Sequence, residues 1–284
     1  MISSVRNLCG ESPVWMPSRN SLYWTDIDGK KLYKKDFNNN KILSTKMLGR
    51  VSCIAPLASG GFIAAMENQL IKINQFHEKP EVLTEVFPID SSTRLNDGKT
   101  DRGGNFFWVG SIFLPRDKKT SGLWRYSSNG EIKKIVSNIT TSNGLSWSPS
   151  GKVMYHSDSW SSKIWKYDYD TVKGEIKNKR IFYITNKKQG RPDGACVDIS
   201  GYYWTACFNG GRILRISPEG VLDREFIVPM LRPTMIAFGG NNMNTLFVTS
   251  YGKNNIFERN NKESGKLISI QTQIKGIAET LFKI

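Results

Sequence analysis

The sequence predicts an all-β fold, a six-bladed β-propeller of four-stranded antiparallel blades, and three observations lead there. A strand–turn–strand layout recurs six times, with copies opening at residues 22, 62, 106, 153, 202 and 246. The intervals of 40, 44, 47, 49 and 44 residues match the length of a propeller blade, which is usually about 40–50 residues. Gly, Pro and Asn clusters between the apolar runs leave no room for long helices.

In chain order the paired strands are Leu22-Tyr23-Trp24-Thr25 with Leu32-Tyr33-Lys34, Phe62-Ile63-Ala64-Ala65 with Leu70-Ile71-Lys72-Ile73, and Phe106-Phe107-Trp108-Val109 with Leu123-Trp124-Arg125-Tyr126. Val153-Met154-Tyr155-His156 with Ile164-Trp165-Lys166-Tyr167 and Tyr202-Tyr203-Trp204-Thr205 with Ile213-Leu214-Arg215-Ile216 follow, and a less regular sixth copy opens at Leu246-Phe247-Val248-Thr249. Aromatic and β-branched residues suit pleated, buried strands. A further apolar segment precedes most copies, such as Ser52-Cys53-Ile54-Ala55, Gly144-Leu145-Ser146-Trp147 and Ala195-Cys196-Val197-Asp198, and supplies the extra strand of each blade. Residues 1–284 are read as one domain, its circle closed by pairing of the two chain ends.

Composition excludes several classes. Of 284 residues, 39% are hydrophobic and 23% charged, a mix that can form a core, so disordered and fibrous chains are ruled out. No apolar run reaches the roughly 18–20 residues of a membrane helix, and the Met1–Asn7 start lacks a signal-peptide core, so no membrane and a cytoplasmic location are expected. Cys9, Cys53, Cys196 and Cys207 form no Cys-x-x-Cys pair and read as reduced structural thiols. The net charge of +15 invites a nucleic-acid reading. However, Lys72, Arg125, Lys166 and Arg215 alternate with apolar residues, as on solvated blade edges, and no basic helix or tight cluster exists, so nucleic acid is disfavoured.

With only His77 and His156, a three-histidine zinc site cannot form, and Gly-x-Ser-x-Gly and His-Glu-x-x-His motifs are absent. Chemistry must come from carboxylates, amides and a hard metal ion. Residues at one phase of the repeat form a ring around the propeller channel. About ten residues before each copy stand Glu11, Ser52, Asn96, Asn143, Asp193 and Met235 or Ile236. Four of these carry oxygen-ligand side chains, and glycine follows Asn96, Asn143 and Asp193 closely, permitting tight backbone approach. Two carboxylates converging with an amide call for a neutralising cation, and oxygen-only donors favour a hard divalent ion. His156 is expected to be a packed strand histidine, Asp97, Asp158 and Asn209 to orient the ring residues or hold turns, and Trp15, Trp108, Trp147 and Trp204 to pack between blades.

Cys9-Gly10-Glu11-Ser12-Pro13-Val14-Trp15, Arg94-x-Asn96-Asp97-Gly98-Lys99, Ser142-Asn143-Gly144-Leu145-x-Trp147-Ser148, Pro192-Asp193-Gly194 and Cys207-Phe208-Asn209-Gly210-Gly211-Arg212 occur in this order. Together they resemble the senescence marker protein (regucalcin), gluconolactonase and luciferin-regenerating enzyme family. The resemblance implies a small-molecule sugar lactone as substrate and one divalent metal ion, calcium as first choice with zinc, magnesium or manganese as alternatives. It implies Glu11, Asn143 and Asp193 as metal ligands, Asp193 also as general base, and Arg94 and Asn96 as holders of the substrate oxygens. A polarised lactone carbonyl would then be attacked by water. A noncatalytic calcium-binding propeller is the alternative. Phe113-Leu114-Pro115 departs from the family, whose regucalcin-like members carry acidic residues there, so the sugar wall is expected to differ.

Overall fold

The computed structural model of the protein describes residues 4–89, 92–252 and 263–284, so the Met1-Ile2-Ser3 start lies outside the described residues. Among the described residues six sheets follow one another along the chain, each an up-and-down antiparallel meander, five of four strands and the last of three. The innermost strands are Gly10–Met16, Val51–Pro56, Thr93–Thr100, Ser142–Trp147, Arg191–Val197 and Pro233–Gly239, and open blades 1 to 6 respectively. Each packs against the next, and that of blade 6 returns to blade 1, closing a ring. Among the described residues the only helical turns are Pro17–Arg19 and Ser159–Ser161, and no helix is long and apolar enough to cross a membrane.

Alternation of side chains across each strand gives every blade two apolar faces, and the core is therefore divided among the seams between blades. One cluster joins blades 1 and 2 through Val14, Tyr23, Ile54 and Phe62, another joins blades 3 and 4 through Trp108, Leu145, Trp147 and Tyr167, and the other seams repeat the scheme. The tryptophans act at these seams as expected: Trp15 stacks on Phe247 of blade 6, Trp108 lies 6.4 Å from Trp147, and Trp204 meets Phe238 edge-on.

Two expectations need correction. The alternating basic residues do not all belong to solvated edges. Arg125 donates to the Lys173 and Gly174 carbonyls of blade 4 while covering the Phe106 ring, and Lys166 donates to Pro218 of blade 5. Arg215 is buried, paired with Asp198 at 2.8 Å and Asp223 at 2.7 Å and lying over Tyr202. An alternating pattern cannot distinguish a blade edge facing water from one facing the next blade, and long cationic side chains bridge the latter by running along apolar surface.

Nor, among the described residues, does the C-terminal segment from Thr272 to Ile284 pair with the N-terminal one. Residues 7–9 close the ring by pairing with blade 6, through a Cys9–Tyr251 bridge and hydrogen bonds from Asn7 to Gly265 and from Gly252 to Leu8. The last residues run elsewhere, across the turns that follow the inner strands. Gly276 donates to Met243 of blade 6, Ile199 of blade 5 donates to Lys275, Arg102 of blade 3 to Ala278, and Phe282 to Pro56 of blade 2. Phe282 is fully buried in the seam between blades 2 and 3, and Lys99 pairs with Glu279 at 2.8 Å. This tail covers one end of the channel, the floor.

Candidate active site

The opposite end, where the inner strands begin, holds a cavity of about 530 Å³, within the usual range for small-molecule sites. Its lining includes Glu11, Arg94, Asn96, Asn143 and Asp193, so all five residues singled out for the site meet at one mouth. The local cause is a β-bulge repeated in the inner strand of every blade. Pairing shifts register between Glu11 and Val14, Val51 and Cys53, Leu95 and Gly98, Asn143 and Ser146, Pro192 and Ala195, and Pro233 and Ile236. An extra residue in one strand re-aims a side chain, and Glu11, Asn96, Asn143 and Asp193, at or within these shifts, line the cavity. Gly144 has a φ of +66°, open to glycine at little cost, whereas Gly98 and Gly194 are needed for space: a Cβ there would run into Cys53 and Met235.

A relay of hydrogen bonds joins three blades across the mouth. Arg94 donates to Asn96 Oδ1 at 2.8 Å and to the Leu95 carbonyl, Asn96 Nδ2 donates to Asn143 Oδ1 at 2.7 Å, Asn143 Nδ2 donates to Ser159 Oγ at 2.7 Å, and Ser159 donates to the Pro192 carbonyl at 2.6 Å. Ser159 and Asn96 fix both ends of the amide, and Asn143 Oδ1, accepting from Asn96, keeps a second lone pair to spare. Asp158 steadies Ser159 by accepting from Thr141 and Trp160, and Asn209 accepts from Arg232, so both are orienting groups. His156 is buried with Nε2 2.8 Å from Ser142 Oγ, and burial pushes its pKa down to about 3, which keeps it neutral.

The carboxylates are the unbalanced part. Burial, then the charge of Asp193, then that of Asp97 raise the Glu11 pKa well above its usual range, and burial and Asp97 do the same for Asp193. Glu11 accepts from its neighbour Ser12 and Asp193 from Gly194, but neither makes an ion pair among the described residues. Asp97 accepts from Leu145 with one oxygen, while its other oxygen is buried without a partner. Among the described residues no three His, Cys, Asp or Glu side chains cluster as a ready ligand set. The donor set is two carboxylates and an amide, and that set of uncompensated negative charge fits a hard cation.

Arginines complete the lining and were largely missed in the sequence. Arg50, Arg116, Arg191 and Arg232 join Arg94 around the cavity, with Trp160, Ile112, Leu114, Phe208 and Tyr251. A repeat signal existed: two residues before the ring slots stand Cys9, Arg50, Arg94, Thr141 and Arg191, and all five line the mouth. The Phe113-Leu114-Pro115 stretch contributes Leu114 to the wall, followed by Arg116 in the left-handed region at a φ of +62°. Of the cysteines, Cys53, Cys196 and Cys207 are buried and only Cys9 reaches the cavity.

Residues 9–252 match the model of the SMP-30/Gluconolactonase/LRE-like region. The chain is 32% identical over 278 residues, 97% of its length and 95% of the relative's, to a 6-deoxy-6-sulfogluconolactonase of Pseudomonas putida. It is 34% identical over 246 residues to regucalcin of Homo sapiens, covering 85% and 82% of the two chains. A solved luciferin-regenerating enzyme superposes with a TM-score of 0.92 at 30% identity over 98% of this chain and 96% of that one. A calcium-binding protein, regucalcin, from Agrobacterium tumefaciens shares the fold with a TM-score of 0.93 at 20% identity, covering 100% and 96%. The mouth built by bulged inner strands and the match over most of the chain agree: the protein belongs to the SMP-30/gluconolactonase/LRE-like family.

Proposed function

We propose that the protein is a divalent-metal-dependent sugar lactonase whose reaction takes place at this mouth. The observation that carries the reading is the meeting, in one cavity, of the ion-pair-free carboxylates of Glu11 and Asp193 with the Arg94–Asn96–Asn143 relay. The family and its sulfogluconolactonase relative support a sugar lactone as the substrate class.

Glu11, Asn143 and Asp193 would hold the cation, which when bound would neutralise the buried charge and act as a Lewis acid toward the carbonyl. Calcium is the first choice for such oxygen donors, with magnesium, manganese or zinc as alternatives. Arg94, held flat by Leu95 and Asn96, donates toward the carbonyl oxygen as negative charge develops there. Asn96 keeps Arg94 and Asn143 in register and presents its remaining acceptor capacity to a sugar hydroxyl. Asp193, made more basic by burial and by Asp97, takes a proton from the attacking water. Water adds to the carbonyl carbon, moving the carbonyl π electrons onto its oxygen; as the C=O re-forms the acyl–ring oxygen bond breaks, the proton taken by Asp193 passes to the departing ring oxygen, and a hydroxy acid leaves.

The test is a panel of sugar lactones scored by proton release on chelator-treated protein, with each divalent ion restored in turn. Turnover should vanish with the chelator and return with a cation. Equal rates for the unaltered protein and Asp193→Ala would refute the assignment, and tight cation binding without turnover would favour a noncatalytic binding protein.

A further inference from the structure

Along blades 4, 5 and 6 the wall of the mouth alternates aromatic rings with guanidinium groups. The Arg191 guanidinium lies 3.8 Å over the Trp160 ring. Arg191 pairs across the strands with Phe208, which puts the two side chains on one face of the sheet. Phe208 in turn meets Tyr251 edge-on, with ring centroids 5.8 Å apart. Arg232 completes the row, 5.6 Å from the centroid of each of those rings and donating to Asn209 at 3.0 Å. All five side chains line the cavity.

Hydrogen bonds tie this row to the reacting end. Ser159, the neighbour of Trp160, accepts from Asn143 and donates to the carbonyl of Pro192, which stands between Arg191 and Asp193. The turn that carries the indole is held from both sides, because Asp158 accepts from the Trp160 N–H at 3.2 Å and the Ser159 N–H donates to the Thr141 carbonyl at 3.0 Å. Arg191 and Asp193 are two residues apart on one strand, at most about 7 Å. A ligand seated on the row is therefore one sugar unit from the general base.

Trp160 stands apart from the other tryptophans of the ring. It is 44% exposed, whereas Trp24, Trp108, Trp147 and Trp204 are buried, and Arg191 already covers one of its faces. An indole fixed at a cavity mouth presents apolar surface that a ligand can take out of water. Whatever covers it must also serve the guanidinium groups beside it, and an alkyl chain would desolvate them without a hydrogen bond. A sugar ring does both, laying its C–H face on the aromatic surface while its hydroxyl oxygens accept from the guanidinium edges. The cavity of about 530 Å³ is of a size that suits a ligand larger than one sugar ring.

We propose that Trp160, Arg191, Phe208, Arg232 and Tyr251 form an outer sugar subsite, and that the preferred substrate is a sugar lactone bearing a second sugar, a glycosylated aldonolactone. The proposal rests on the lactonase reading of the same mouth and deepens it. The second sugar takes no part in bond making. Its contacts are alike before and during the reaction, so they lower KM and leave kcat as it is.

The test compares gluconolactone with cellobionolactone, which carries glucose on carbon 4, and melibionolactone, which carries galactose on carbon 6, using the cation-restored protein, Trp160→Ala and Trp160→Phe, each checked for an unchanged melting temperature. The expected result is a kcat/KM for at least one glycosylated lactone about tenfold above that for gluconolactone, expressed in KM. That ratio should fall toward parity in Trp160→Ala and be partly recovered in Trp160→Phe, which keeps an aromatic face. Turnover of gluconolactone with no preference for either glycosylated lactone, or a preference that Trp160→Ala leaves intact, would overturn the subsite and leave the lactonase reading standing. A stronger preference for an alkyl-substituted lactone such as nonalactone, lost in Trp160→Ala, would assign the row to an apolar tail and overturn the proposal. Calorimetric titration with cellobionate and gluconate separates the opposite case: cellobionate binding about tenfold tighter, a margin lost in Trp160→Ala, without turnover of any lactone, supports the subsite and overturns the lactonase.

Discussion

The two ends of the same six inner strands are built to opposite electrostatic rules. At the floor, buried charge is matched: Lys99 meets Glu279, and in the neighbouring blade 5 turn Asp198 receives Arg215, the Trp204 indole and the backbone N–H groups of Ser200 and Tyr202. At the mouth, among the described residues, Glu11 and Asp193 make no ion pair, one Asp97 oxygen has no hydrogen bond, and Arg116 and Arg191 line the cavity without an ion pair. A fold that pairs its charges at one end can do so at the other. Leaving them uncompensated keeps their fields available to a ligand, at a cost to stability.

Substitutions at the two ends should therefore differ in kind. The largest effect expected is on turnover: Arg94→Ala should lower lactonase kcat/KM by about 100- to 1000-fold through loss of the carbonyl-facing donor, as measured by steady-state kinetics. At the paired end, Arg215→Ala should cost about 3–5 kcal/mol in chemical denaturation, because it strands the buried Asp198 carboxylate. A loss well under that range would mean that Asp198 is satisfied by backbone groups alone, and would weaken the contrast.

Asp193→Asn should act with opposite signs on the two properties. Since the native pKa of Asp193 is raised, the metal-free protein loses stability as pH rises through the window that starts at the usual carboxylate value, where only the unfolded chain has released its proton. At neutral pH and with chelator, the variant should thus be more stable by about 1–3 kcal/mol while losing turnover, and restored cation should stabilise only the parent. The smallest effect at neutral pH belongs to His156, whose native pKa of about 3 lies below the ordinary 6.5. Its contribution is present above pH 6.5 and fades as pH falls, at up to about 1.4 kcal/mol per pH unit. His156→Asn should flatten that acid limb in denaturation curves.

Much of this architecture was legible because propellers repeat. Aromatic strands such as Tyr202-Tyr203-Trp204-Thr205 mark a blade whichever seam they fill, and one phase count placed Glu11, Asn96, Asn143 and Asp193 at a common mouth because every inner strand carries the same bulge. The arginine half was missed because only that slot was counted, and Arg50 and Arg191 occupy the slot two residues earlier. Arg116 belongs to an irregular turn that no period indexes. The burial of Arg215 was illegible for a different reason, since strand alternation specifies a face but not what the face meets. The tail from Thr272 to Ile284 repeats nothing in the chain, and its position depends on turns in four blades that only the assembled ring brings together.

That tail has a mechanical consequence. A ring whose units touch only their neighbours can open at any one seam, as a chain of links can, and then come apart link by link. By fastening blades 6 and 5 to blades 3 and 2 on the far side, the segment through Gly276 and Phe282 acts as a diagonal brace, so no seam can part without straining the others. The brace ties four of the six blades together across the ring, so the blades it joins share their stability rather than depending on neighbouring seams alone.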